Sequence, residues 1–95
     1  AKPRAVAVIP LGDAAEAVAL KLADTLRRAG LRIDLGFRGK MKQRMKRANT
    51  INARAAVILG DDELAQSSAT VRDLDSGEQE LVPLADLQRR LEQFL

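Results

Sequence analysis

The chain has 95 residues, a net charge of +3, two aromatic residues and neither Cys nor His. That length suits one domain, and its Leu, Val, Ile and Ala can fill a modest core without covalent staples. The composition excludes a disulfide framework and a thiolate metal site, and it removes the commonest parts of nucleophilic and metal-assisted catalysis.

Residues 5–9 (AVAVI) form a β-branched apolar run between Pro3 and Pro10-Leu11-Gly12. That reads as a buried strand. Asp13 and Glu16 have the spacing of a capping box. Ala15, Val18, Ala19, Leu22, Leu26 and Ala29 then recur at helical spacing, so 13–29 is predicted as a helix. Arg27 and Arg28 suit its last turn, and Gly30 its end. Residues 31–35 alternate as a short strand. Residues 38–49 place Met41, Met45 and Ala48 on one narrow helical stripe. Residues 55–59 (AAVIL) are a second buried run, closed by Gly60. Strand–helix–strand units of this kind favour parallel pairing. Residues 69–74 and 79–82 flank Asp75-Ser76-Gly77 and predict a β-hairpin. Leu84, Leu87, Leu91 and Phe94 give a terminal amphipathic helix after Pro83. The expected fold class is α/β: three layers, α/β/α, with a five-stranded mixed sheet and three helices.

Charge is distributed very unevenly. The window 35–60 holds seven Lys/Arg and no Asp/Glu, while the remainder holds nine against thirteen. The core of that window, RGKMKQRMKR, supplies Arg38, Lys40, Lys42, Arg44, Lys46 and Arg47, and Arg54 follows. Surface helices usually interleave signs through i,i+4 pairs. This run has no such pair along the chain, and it points to a polyanion. A bland basic surface helix is the alternative. A membrane surface fits less well, because the helix lacks Trp, Phe and Leu for an interfacial face. No apolar run approaches the roughly 20 residues that span a bilayer, and no signal-peptide pattern opens the chain.

Two turns are weaker candidates. Pro10-Leu11-Gly12-Asp13 joins the first strand to the first helix and has no phosphate-cradling motif. Gly60-Asp61-Asp62-Glu63 follows the third strand. Its carboxylates lack the spacing of a calcium loop. They read as an acidic turn capping a short helical segment, or as acceptors for base amino groups. Ser67 and Ser68 have no base partner and are not read as nucleophiles.

Several segments together resemble a known family. They are AVAVI with Pro10-Leu11-Gly12, Gly36-Phe37-Arg38-Gly39-Lys40-Met41-Lys42, Val57-Ile58-Leu59-Gly60-Asp61-Asp62-Glu63-Leu64, Arg72-Asp73-Leu74 and Gly77-Glu78-Gln79. In this order and spacing they resemble the C-terminal anticodon-binding domain of histidyl-tRNA synthetases, related to those of glycyl-, threonyl- and prolyl-tRNA synthetases. The resemblance spans about residues 5–95. It implies a cytoplasmic chain that recognises a tRNA anticodon, that of histidine tRNA, as part of a histidine–tRNA ligase. A non-charging, synthetase-like regulatory or accessory protein is the alternative.

On the matching positions, Arg38, Lys40, Lys42, Arg44, Lys46, Arg47 and Arg54 would contact phosphates. Leu11, Gly12, Phe37, Asp61, Asp62 and Glu63 would face bases. The resemblance places catalysis, with ATP and Mg, in a separate domain, so no catalytic site, metal or cofactor is expected here. It implies a homodimeric parent enzyme held together chiefly by other parts, of which this chain, opening without Met, would be a fragment. The chain departs from the family where Ser67-Ser68 replaces a common Gly. Serine tolerates positive φ poorly, so the sequence does not support the family's turn geometry there. Residues 49–54 also lack the Gly-Ile-Pro often seen before the third strand.

Overall fold

The computed structural model describes residues 4–35 and 40–94. Phe37 and Arg38, two of the candidate site residues, lie outside the described residues. The described residues form nine elements in succession: β1 (Val6–Pro10), α1 (Asp13–Arg28), β2 (Ile33–Asp34), α2 (Met41–Thr50), β3 (Ala55–Leu59), α3 (Asp61–Ala65), β4 (Ser68–Asp73), β5 (Gln79–Pro83) and α4 (Leu84–Glu92).

The sheet order is β2-β1-β3-β4-β5. β1 pairs parallel with both β2 and β3, through Val6↔Ile33 and Val57↔Val8. β4 is antiparallel to β3 and to β5. The mixed five-stranded sheet and its hairpin are therefore as the alternation predicts. Direction has a further consequence. β1, β2, β3 and β5 all point the same way, and each is followed by a helix. All four helices consequently begin at one edge of the sheet, the carboxyl end of the parallel strands.

Strand side chains alternate between faces. Val6, Val8, Val57, Leu59, Ala69, Val71 and Val82 share one face with the inward stripes of α1 (Ala15, Ala19, Ala23, Leu26) and α4 (Leu87, Leu91). Leu26, Leu59, Leu87 and Leu91 are fully buried there, each contributing about 1.5–3 kcal/mol by removal from water. On the opposite face Ala7 meets Ala48 of α2 and Ala53. The small alanines let α2 lie close, while Met41 and Met45 remain half-buried. The layers are as predicted, with α2 on one side and the other helices on the other.

The structure corrects four details. The described residues contain four helices, not three, because the acidic turn after Gly60 winds into α3. The second strand spans only Ile33–Asp34, since β1 offers it a ladder of two residue pairs. Asp13 does not cap α1: Gly12 occupies the N-cap at φ 103° and gives no side-chain cap bond. Asp13 instead sits in the first turn, where its charge suits the helix dipole. Finally, Ser67 does adopt a left-handed conformation, at φ 50°, so the turn before β4 takes a positive φ without its glycine.

Candidate nucleic-acid interface

Three segments meet at the carboxyl edge: the turn after β1, the turn after β3 and the start of α2. The two turns are tied directly. Leu11 N–H donates to Leu59 O at 2.7 Å. Gly12 faces Asp61 so closely that a Cβ on Gly12 would lie 3.9 Å from Asp61 Oδ1. β1 and β3 are adjacent parallel strands, and the helices that follow them, α1 and α3, lie on the same face of the sheet. Their turns stand side by side at the carboxyl ends of the strands, the end of an open α/β sheet at which ligands bind. The candidates Leu11, Gly12, Asp61 and Asp62 therefore lie together. Gly12, Asp61 and Asp62 are exposed, and Leu11 is half-buried.

Glu63 differs from its neighbours. Its Oε1 accepts the Gly60 N–H at 2.8 Å and its Oε2 accepts the Thr70 hydroxyl at 3.4 Å. This carboxylate caps α3 and pins it to β4, the task that Glu performs in the third helical position. Among the described residues, no cluster of three or more His, Cys, Asp or Glu is arranged to hold a metal ion.

The basic helix divides into two sets. Lys42 and Lys46, with Lys40 just before the helix, are exposed, and none makes an ion pair with a described residue. Lys40 is positioned by its backbone, whose N–H donates to Gln43 Oε1 at 3.3 Å. The arginines turn inward. Arg47 pairs with Asp34 of β2, Nη2 to Oδ1 at 3.1 Å and Nε to Oδ2 at 3.2 Å. Arg44 is only 9% exposed. Its Nη1 donates to Pro10 O, and its Nη2 lies 3.7 Å from Glu16 Oε1. Its Nε is buried with no hydrogen-bond partner, an arrangement that costs about 1–3 kcal/mol. The run is thus unbalanced along the chain but partly balanced in space: Glu16 and Asp34 supply carboxylates to its two arginines that charge counting did not assign to it.

Arg54 is also engaged. It binds Asp73 Oδ1 at 2.5 Å, lies 3.6 Å from Asp75 Oδ2, and stacks 4.6 Å from the centre of the Phe94 ring. Arg90 covers the same ring at 5.1 Å. Arg4 clamps Asp75 with two bonds of 2.8 and 2.9 Å and donates to Asn52 and Ala53 carbonyls. The hydrogen bond from Arg54 holds the Asp73 carboxyl down at about 2, helped by the Ser76 and Asp75 amides and opposed by desolvation. The bond from Arg4 likewise lowers Asp75. All of this lies at the sheet end opposite the carboxyl edge, so Arg54 does not join the α2 lysines there.

Among the described residues, no helix is long and apolar enough to cross a membrane. A family model described as an anticodon binding domain matches residues 5–94. The histidine–tRNA ligase of Rhodospirillum rubrum is 56% identical over 93 residues, which is 98% of this chain and 22% of that protein. That of Gluconobacter oxydans is 46% identical over 89 residues, 94% of this chain and 21% of the relative. The crystal structure of histidyl-tRNA synthetase from Nostoc sp. PCC 7120 superposes with a TM-score of 0.87 at 33% identity, over 97% of this chain and 22% of that one. The chain spans about a fifth of the length of these relatives. The chain belongs to the anticodon-binding domain family, and the relatives it resembles at high identity are histidine–tRNA ligases.

Proposed function

We propose that this chain binds the anticodon stem and loop of histidine tRNA, as part of a histidine–tRNA ligase. The observation that carries the reading is the family match across residues 5–94, together with a fold that sets the N-terminus of α2, whose first turn holds no carboxylate, at the carboxyl edge. Helix N-termini favour anionic groups. Lys40, Lys42 and Lys46 add exposed ammonium groups, without an ion pair among the described residues, on and just before α2. In this reading they hold RNA phosphates, and Arg38 belongs with them by sequence. Phosphate contacts set position and register; base contacts carry the sequence information. The base contacts fall to the paired turns, Leu11-Gly12 and Asp61-Asp62, with the two carboxylates as acceptors for base amino groups. Arg44 and Arg47 support the grip from within, while Arg54, held by Asp73 and Asp75 at the opposite end of the sheet, takes no part in it.

The test is binding of the 95-residue chain to histidine tRNA and to a hairpin of equal length with an unrelated loop, across a salt series. The expected result is a steep loss of affinity with salt for both and tighter binding of the histidine tRNA. Equal affinities would overturn the anticodon reading and leave only a general polyanion binder, as a non-charging accessory protein could be.

A further inference from the structure

Arg44 stands out among the basic residues of α2 because its side chain is only 9% exposed while its lysine neighbours are exposed. Its two terminal nitrogens reach opposite sides of a single turn. Nη1 donates to the carbonyl of Pro10, the last residue of β1. Nη2 approaches the carboxylate of Glu16, in the first turn of α1. Between them lie Leu11 and Gly12, and Gly12 abuts Asp61 of the neighbouring turn. One guanidinium therefore links the helix bearing the exposed lysines to the turns at the carboxyl edge.

We propose that Arg44 is a positioning residue. It does not contact phosphate; it fixes the Leu11-Gly12 turn relative to α2, so that phosphates held by the lysines present the loop bases at the correct depth. The inference rests on the proposed RNA-binding function and deepens it. The planar, forked guanidinium is what the task requires, since it can engage the carbonyl and the carboxylate at once. A lysine in the same place carries the same charge but is a point donor that reaches one partner at a time.

That difference supplies the experiment. Affinities of the wild type, Arg44→Lys, Arg44→Gln and Lys42→Gln are measured for histidine tRNA and for the same tRNA with a replaced anticodon, over a salt series. Assays run well below each variant's melting temperature. A phosphate contact and a strut give opposite patterns. Lys42→Gln should reduce the salt slope by about one and leave discrimination between the tRNAs intact. Arg44→Lys should keep the wild-type slope and lose discrimination by about fivefold or more. Arg44→Gln should behave likewise; if it fails to fold, Arg44→Lys alone decides.

Arg44→Lys with wild-type discrimination would overturn the positioning role while leaving the RNA-binding function standing. A salt slope reduced by about one in Arg44→Gln would also overturn it, by making Arg44 a phosphate contact. A wild type that does not distinguish the two tRNAs would overturn the anticodon reading and this inference together.

Discussion

The two ends of the sheet solve opposite problems. At the carboxyl edge the helices begin, lysines stand without ionic partners among the described residues, the turn at Asp61-Asp62 faces the solvent, and Arg44 keeps a buried Nε unpaired. At the other end nearly every charge is answered. Arg4 and Arg54 share Asp75, Arg54 holds Asp73, and Arg54 and Arg90 enclose Phe94. A satisfied network rigidifies, whereas exposed charge without a partner is left to solvent or to a ligand of opposite sign. The comparison teaches that lysines and arginines of one chain need not share a role, even when they are adjacent in sequence.

The largest expected effect falls on the closed end. Phe94→Ala removes the ring between two guanidiniums and its contact with the main core. Phe→Ala in a full core costs about 3–5 kcal/mol; Phe94 is half-buried, so about 2 kcal/mol is expected. Urea unfolding measures it. RNA affinity well below the melting temperature should not change, and a parallel loss of affinity would break the division between the two ends.

The second prediction concerns the open end. Lys42→Gln with Lys46→Gln should weaken RNA binding about tenfold at moderate salt, roughly 1.4 kcal/mol. Stability should move by no more than about 0.5 kcal/mol, as for surface changes away from special features. Anisotropy titrations and thermal melts of the same sample check both halves. A melt shifted strongly with binding unchanged would place these lysines in the fold instead.

The third is a pH effect confined to the closed end. The folded pKa of Asp73, about 2, lies below its unfolded value near 4. Its contribution to stability is therefore fully present above about pH 4 and is lost as pH falls toward 2. Asp75, lowered by Arg4, adds in the same direction. Denaturation midpoints should be flat from pH 7 to 5 and fall below about 4. Asp73→Asn should flatten that fall; an unchanged acid limb would remove Asp73 from the account.

These contrasts show how far the sequence could be read. The runs 55–59 and 5–9 announce central strands, because β-branched apolar residues bounded by Gly and Pro have few other places to go. The alanine and leucine spacing of 13–29 announces α1 as clearly. The basic run was equally visible, but its partition was not. Asp34 lies 13 residues from Arg47, and Asp73 lies 19 from Arg54. Counting charge along the chain cannot see carboxylates that the fold delivers. One signal was available: the alternation of residues 31–35 sets Asp34 on the face opposite Leu31 and Ile33, and a helix crossing from β2 to β3 on that face would meet it. No comparable signal pointed to the Arg44 contact with a backbone carbonyl, since carbonyls leave no mark in a sequence.

The smallest prediction tests a residue that lies between the two ends in character. Ser67 holds φ at 50°, directly before β4 and beside the acidic turn. Its carbonyl accepts the Leu84 N–H at 3.0 Å, and its own N–H donates to Leu64 O at 3.0 Å. Both are backbone bonds, so they lock the turn whatever the side chain is. The side chain of Ser67 is exposed, and the hydroxyl that closes this turn, to Gln66 O at 2.9 Å, belongs to Ser68. Ser67 thus bears the steric cost of a left-handed conformation, roughly 1–2 kcal/mol for a residue with a Cβ, without a side-chain bond in return. Glycine removes that cost but enlarges the unfolded ensemble, which offsets part of the gain. Ser67→Gly should therefore stabilise by about 0.5–1 kcal/mol, read as a higher urea midpoint at unchanged slope. A destabilised variant would show that the left-handed turn is held at no cost and that only the entropy of glycine remains.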